Sequence, residues 1–193
     1  MTYQATFDAE TPERIANWRP LVQWFLAIPH LILLNALESL AGVVAVISWF
    51  AILFTGSLPS GLADLQVMIL RYGLRVEAYA GFLHEAYPSF EFTTAAVDPD
   101  NTPTSASYAP VLEDRDRLTV GLRVLWMIPA LLFAVAIGIV GILAYLLSFF
   151  AVLFTGTWPV GLRRWVIKSF RVSNRFSAYA LLLTDEYPPF STD

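Results

Sequence analysis

The sequence predicts an all-α integral membrane protein built from two tandem repeats, and three observations carry that expectation. Between Arg123 and Arg163 there is no charged side chain, and between Arg19 and Asp64 there is only Glu38. Both runs far exceed the roughly 18 to 20 apolar residues that cross a bilayer. Ser48 to Leu62 (SWFAILFTGSLPSGL) returns without a gap as Ser148 to Leu162 (SFFAVLFTGTWPVGL), and from Ile28 to Phe90 against Ile128 to Phe190, 23 of 63 positions are identical. Finally, 56% of the 193 residues are hydrophobic and 15% charged, with a mean hydropathy of +0.58, a balance outside the ordinary soluble range.

Met1 to Glu13 is polar and holds no Lys or Arg. It lacks the basic start of a signal peptide, so the chain is expected to enter the membrane by its own segments and keep them. There is no cysteine, which excludes disulfide and thiol chemistry. The net charge is −4, and no nucleic-acid partner is expected. The division is 1–90 for the first repeat, 91–114 for a flexible polar linker and 115–193 for the second repeat.

In chain order, Thr2 to Asp8 alternates weakly and suits a short strand or an extended arm. Thr11-Pro-Glu-Arg is expected to start a helix, with Thr11 as N-cap and Pro12 in its first position. Asp116-Arg117-Leu118 resembles Glu13-Arg14-Ile15 but lies 103 residues later, which shortens the second unit by three residues before the membrane.

The apolar runs follow, Pro20 to Phe54 and Val120 to Phe154. About 35 residues make roughly 50 Å of helix, against a hydrocarbon core of about 30 Å. Either each run is a tilted span preceded by an interfacial helix ending near Pro29 or Pro129, or it folds back as a hairpin. Asn35, Glu38, Ser39 and Gly42, aligned with Gly138 and Gly141, favour the hairpin, because polar groups at its tip reach headgroups and mid-span would be costly. Legs of about 15 residues are short for a crossing. A hairpin keeps both Thr-Gly-x-x-Pro-x-Gly-Leu turns on one side and gathers the tryptophans in one belt; single crossings would invert the copies.

Gly56 and Gly156 end these helices, and Pro59 and Pro159 restart the chain. Leu62, Leu65, Ile69, Tyr72, Val76, Tyr79 and Leu83 then form an apolar stripe at helical spacing. In the second copy a cationic stripe of Arg164, Lys168, Arg171 and Arg175 runs beside it, and the first copy retains Arg71 and Arg75. That pattern predicts a helix lying in the interface with its cations on anionic headgroups. Tyr87-Pro-x-Phe90 and Tyr187-Pro-Pro-Phe190 are expected to stop the helix and anchor its end. Pro99, Pro103 and Pro110 among small polar residues mark the linker.

Nothing amounts to a catalytic signature. Gly56 to Gly61 has the outline of a phosphate loop, but Leu62 and Leu162 stand where Lys is required. His30 and His84 have no ligand spacing, so no metal and no cofactor are expected. Glu38, with Asn35 and His30, is a candidate intramembrane polar site, for a proton, an ion or an Arg partner. Against this, Gly138 at the matching place suits Glu38 as a hairpin-tip residue.

Ile28-Pro29-His30, Trp49 to Gly56, Pro59-x-Gly-Leu62, Arg71 to Arg75 and the closing Tyr-Pro-Pro-Phe190 resemble the bacterial membrane family catalogued as domain of unknown function 4389, common in actinobacteria, in two copies. That resemblance implies a small integral membrane protein with no assigned reaction and no catalytic residues; Ala130 departs from it. The expected function is a non-enzymatic accessory or scaffold subunit of a bacterial plasma-membrane complex, multi-pass with its C-terminus in the cytoplasm. It would touch anionic lipid through Arg71, Arg75, Arg164, Lys168, Arg171 and Arg175, and other membrane subunits as partners. The alternative is a small oligomeric transporter or channel for lipid or ion, with a lipid enzyme third.

Overall fold

A computed structural model describes residues 5–9, 11–94 and 103–192 of the chain. In order these form β1 (Ala5–Ala9), α1 (Arg19–Thr55), α2 (Ser60–Ala80), β2 (Thr104–Tyr108), α3 (Arg117–Gly121), α4 (Arg123–Thr155) and α5 (Val160–Ala180).

Each apolar run is one continuous helix, of 37 residues in α1 and 33 in α4. This overturns the expected hairpin. No residue between Asn35 and Gly42 forces the backbone out of the helix, and the Ser39 hydroxyl bonds the Asn35 carbonyl at 2.8 Å within it. A fold-back there would strip backbone bonds inside an apolar run, where they are costly to lose. Pro29 and Pro129 lie inside the helices, each removing only its own N–H bond.

The entry is also displaced. α1 begins at Arg19 with Pro20 in its first turn, not at Thr11, because the approach segment is engaged by the other repeat. The Ile15 amide donates to the Gly156 carbonyl at 3.0 Å, and the Trp158 amide to that of Glu13 at 3.1 Å. The second repeat mirrors both bonds: Arg115 to Gly56 at 3.0 Å and Leu58 to Leu112 at 2.7 Å. Ile15 therefore matches Arg115, and the three-residue shortening inferred from Asp116-Arg117-Leu118 is not a structural one. Asp116 does cap α3, accepting from the Leu118 and Thr119 amides at 3.0 and 3.4 Å.

The duplicated stretch is the corner of each repeat. Thr55 donates to the Ala51 carbonyl at 2.8 Å and accepts the Ser57 amide at 3.1 Å; Thr155 does the same with Ala151 and Thr157 at 2.7 and 3.1 Å. Gly56 and Gly156 take φ of 76° and 66°, the left-handed turn that suits glycine. The chain then reverses. α2 returns antiparallel along α1, with Tyr72 and Val76 on Leu34, and Met68 and Ile69 on Ala41. The apolar stripe expected to lie in a membrane surface is thus buried on its own neighbour; on α5 Val172 and Tyr179 are buried likewise, while Trp165 stays exposed.

α2 and α5 stop at Ala80 and Ala180, before the Tyr-Pro motifs expected to end them. The tails fold back on the base of the long helices. Gln23 donates to the His84 carbonyl at 2.9 Å, and Arg123, its counterpart, to that of Thr184 at 3.0 Å. In the second repeat Arg115 and Arg123 also grip Asp185, at 2.6 and 2.5 Å; in the first, Arg19 meets Glu85 at 3.0 Å.

The repeats are related by a pseudo-two-fold axis. α1 and α4 are antiparallel, the start of each meeting the end of the other. β1 and β2 pair antiparallel about Phe7 and Ala106, with Ala5 opposite Tyr108 and Ala9 opposite Thr104, so part of the supposed linker is a strand. The ribbon packs on α2 and α5: Arg171 donates to the Phe7 carbonyl at 3.1 Å, and Tyr108 to Asn174 at 2.5 Å. Three layers result, with α1 and α4 first, α2 and α5 second, and the ribbon third. The tryptophans form no single belt: Trp158 is a core residue donating to Ser148 at 2.8 Å, and Trp49 donates to the Val120 carbonyl at 2.9 Å.

Two predictions follow from burial and from backbone geometry. Asp185→Asn leaves two buried guanidinium groups without a carboxylate and should cost about 3–5 kcal/mol, whereas Glu85→Gln at the exposed pair should cost under about 1 kcal/mol. Thermal melts in detergent read the difference, and equal losses would contradict the burial argument. Gly156→Ala should lower stability more than Gly56→Ala. Both incur the left-handed penalty of about 1 kcal/mol, but the new Cβ at 156 meets the Asn17 Oδ1 at 2.6 Å, while at 56 it meets the Arg117 side chain at 3.2 Å.

Candidate functional site

The cationic residues singled out in the sequence are bound largely to their own chain. Arg71 and Arg75 are only 4% and 3% exposed. Arg75 donates to the Glu91 carbonyl at 2.7 Å and Arg175 to that of Ser191 at 3.5 Å, each reaching 16 residues on to hold its tail. Arg171 holds β1 through Phe7, and Lys168 reaches the Thr192 hydroxyl at 3.0 Å while covering the Trp165 ring. Arg164 remains exposed. The stripe is real, but its spacing serves the tails and the ribbon, which lie far off in sequence.

The polar groups of α1 do not converge. His30 is fully buried, shares a 2.7 Å hydrogen bond with the Tyr72 hydroxyl and stacks on Phe90 with centroids 4.1 Å apart. Asn35 and Glu38 are exposed on other sides of the helix. In the second repeat, which has Ala130 in place of His30, a cavity of about 570 Å³ lies beside Pro129, lined by Trp126, Tyr179, Tyr187 and Phe190 but not by Ala130. Among the described residues no group of His, Asp and Glu is arranged to hold a metal.

A larger feature lies where all four long helices meet. A cavity of about 730 Å³ is walled by Trp24, Phe25 and Ile28 from α1, Ile142 and Tyr145 from α4, and Phe170 from α5. Its polar lining comes from Glu77, Ser169 and Ser173. Tyr145 is fixed there, donating to the Ala80 carbonyl at 2.9 Å and accepting the Trp24 indole N–H. A second cavity, of about 230 Å³, is lined by Glu38, Ala41, Ile69, Gly73, Ser177 and Ala180, and shares Glu77 and Ser173 with the first.

These two cavities are one feature present twice. Adding or subtracting 100 carries Glu38, Ala41, Ile69, Gly73, Ser177 and Ala180 onto Gly138, Gly141, Ser169, Ser173, Glu77 and Ala80, all of which line the larger one. The copies diverge in size through glycine. A Cβ at 138 would meet nothing within 4 Å, so Gly138 leaves space open where the other copy has Glu38; a Cβ at 141 would strike the Ser169 hydroxyl at 2.3 Å. They diverge in charge as well. Glu77 faces both, Glu38 the smaller, and among the described residues no Lys, Arg or His lines either. Burial, with a smaller contribution from the charge of Glu38, pushes the Glu77 carboxyl up to about 7.

Sequence reasoning passed over Glu77, because on a helix expected to lie in an interface a single acid beside Val76 looks solvated. Two signals pointed to it: its position between Val76 and Tyr79 on the buried stripe, and the Gly138 to Gly141 spacing opposite Glu38 and Ala41.

The chain matches the family described as domain of unknown function (DUF4389) twice, over residues 17–91 and 117–192. No curated protein and no solved structure matches it. The two matched stretches coincide with the two helix pairs and their tails, and α1 and α4 are long and apolar enough to cross a membrane. The chain belongs to the DUF4389 family and carries two tandem copies of its domain.

Proposed function

We propose that the chain is a non-enzymatic accessory or scaffold subunit of a bacterial plasma-membrane complex, held in the cytoplasmic leaflet by its first layer. The carrying observation is the distribution of apolar surface. Phe25, Ile32, Leu132 and Phe154 are 72%, 70%, 66% and 76% exposed, and only 22% and 17% of the most apolar stretches of α1 and α4 are buried. Such a surface requires cover by lipid or by apolar protein. Most charges of the helical body lie behind it, on α2 and α5; Arg19 and Arg123 stand at the starts of the long helices, and Glu38 lines the smaller cavity.

Depth decides between crossing and lying in one leaflet. With α1 and α4 upright, Arg71, Arg75, Arg171 and Arg175, which lie level with the middle of those helices, would stand near mid-bilayer, at a cost of several kcal/mol each. With α1 and α4 in the membrane plane, the same residues lie at headgroup depth and the ribbon faces water. The cations of α2 and α5 then share one side, in keeping with the excess of cytoplasmic Lys and Arg, and Arg164 and Lys168 meet anionic lipid. The polar third layer is left for a partner subunit. A lipid transporter is the second reading, favoured by the duplicated cavities.

Because the chain has no cysteine, single cysteines at Ser57, Ser105 and Thr157 can be tested with an impermeant maleimide in oriented vesicles. All three should label only from the cytoplasmic side; protection of Ser57 with labelling of Thr157 would mean crossing. Gentle detergent extraction of native membranes should yield the chain with a second polypeptide, and migration at 21.5 kDa alone would sink the accessory role.

A further inference from the structure

We infer that the larger four-helix cavity is a binding site for a single-chain amphiphile with a protonated amine at its head, the chain lying between α1 and α4 and the amine on Glu77. The inference rests on the membrane reading for the supply of ligand, since such molecules partition into the acyl region. The volume, about 730 Å³, falls within the range of about 300–1,000 Å³ typical of small-molecule sites.

Three features define the ligand. The walls are aromatic and aliphatic, and Phe25 and Ile142, which line the cavity, are 72% and 60% exposed on the outer face, so a chain can enter from surrounding hydrocarbon. The charged lining is acidic in both cavities, which disfavours a carboxylate or phosphate head and favours a cation. Glu77 lies on α2, at the boundary between the apolar first layer and the polar second one, so an amphiphile with its chain in the first layer brings its head to that carboxylate. An ammonium there pairs a partly buried acid, and charge-assisted bonds of this kind are the stronger class.

Divergence between the two cavities points the same way. The smaller copy holds Glu38 and Ala41 where the larger holds Gly138 and Gly141. Gly138 leaves length open for a chain in the larger copy, and Gly141 lets Ser169 approach closely beside it, while Glu77 stands at the shared wall.

Native mass spectrometry of the detergent-purified chain with oleylamine, oleyl alcohol and oleic acid tests the assignment. One oleylamine adduct should form, favoured about tenfold over oleic acid, as expected of one charge-assisted contact. Gly138→Phe fills open space and should abolish the adduct with the circular dichroism melt retained; Gly138→Leu serves if the larger ring disturbs folding. Glu77→Gln should keep chain binding and erase the preference for the amine. Equal binding of the acid, or an unchanged adduct in both position-138 variants, would overturn the site. The outcome is independent of location: a chain that proves to cross the bilayer and still binds one oleylamine retains the site, and one embedded as proposed without an adduct loses it.

Discussion

The amides of Ile15 and Arg115 donate to the carbonyls of Gly156 and Gly56, and through that exchange neither repeat is complete without the other. A helix end leaves several carbonyls without partners, and beside an apolar layer water is not at hand to satisfy them. Each corner therefore takes its bonds from the approach segment of the opposite repeat. The exchange makes α1 and α4 antiparallel, brings the middles of α2 and α5 together and sets the strands on the axis. The two cavities follow from it, because long helices joined at their ends leave space between them.

Local chemistry was legible wherever one stretch determined its own conformation. Thr-Gly-x-x-Pro specified the corner through a hydroxyl, a left-handed glycine and a proline, and Asp116 announced its helix. The apolar stripes of α2 and α5 were equally plain, but a stripe records only that a face is buried, not what buries it, and lipid was inferred where α1 and α4 do the work. Asn35, Glu38 and Ser39 misled for a related reason. A polar group in an apolar run implies a hairpin tip only if nothing else can serve it, and here the Ser39 hydroxyl bonds within the helix while Glu38 lines the smaller cavity. The arginines were found but their intrachain acceptors were not, because these are backbone carbonyls at Phe7, Glu91 and Ser191, which leave no trace in side-chain pattern.

Duplication let each copy specialise. Trp158 and Ser148 are bonded in the second repeat, while Leu58 leaves the Ser48 hydroxyl without a partner in the first. Asp185 gathers two buried arginines, but Glu85 forms one exposed pair. His30 stacks on Phe90 in the first repeat, whereas Phe133 meets Phe190 edge-on in the second, beside a cavity next to Pro129. The second repeat is thus the more tightly clasped at its tail and the more open around it.

The strand pairing has a further consequence. Ala5 faces Tyr108 and Ala9 faces Thr104, so the ribbon is self-complementary about its centre, and the corner bonds obey the same reciprocity. This is the geometry of an isologous contact, the kind that joins identical subunits in a closed dimer. The chain is in effect such a dimer written on one polypeptide, with its stoichiometry fixed by the covalent link. A true homodimer must place equal residues around its axis, so its two cavities stay equal; here the symmetry survives in the backbone while Gly138 and Glu38 break it in the side chains.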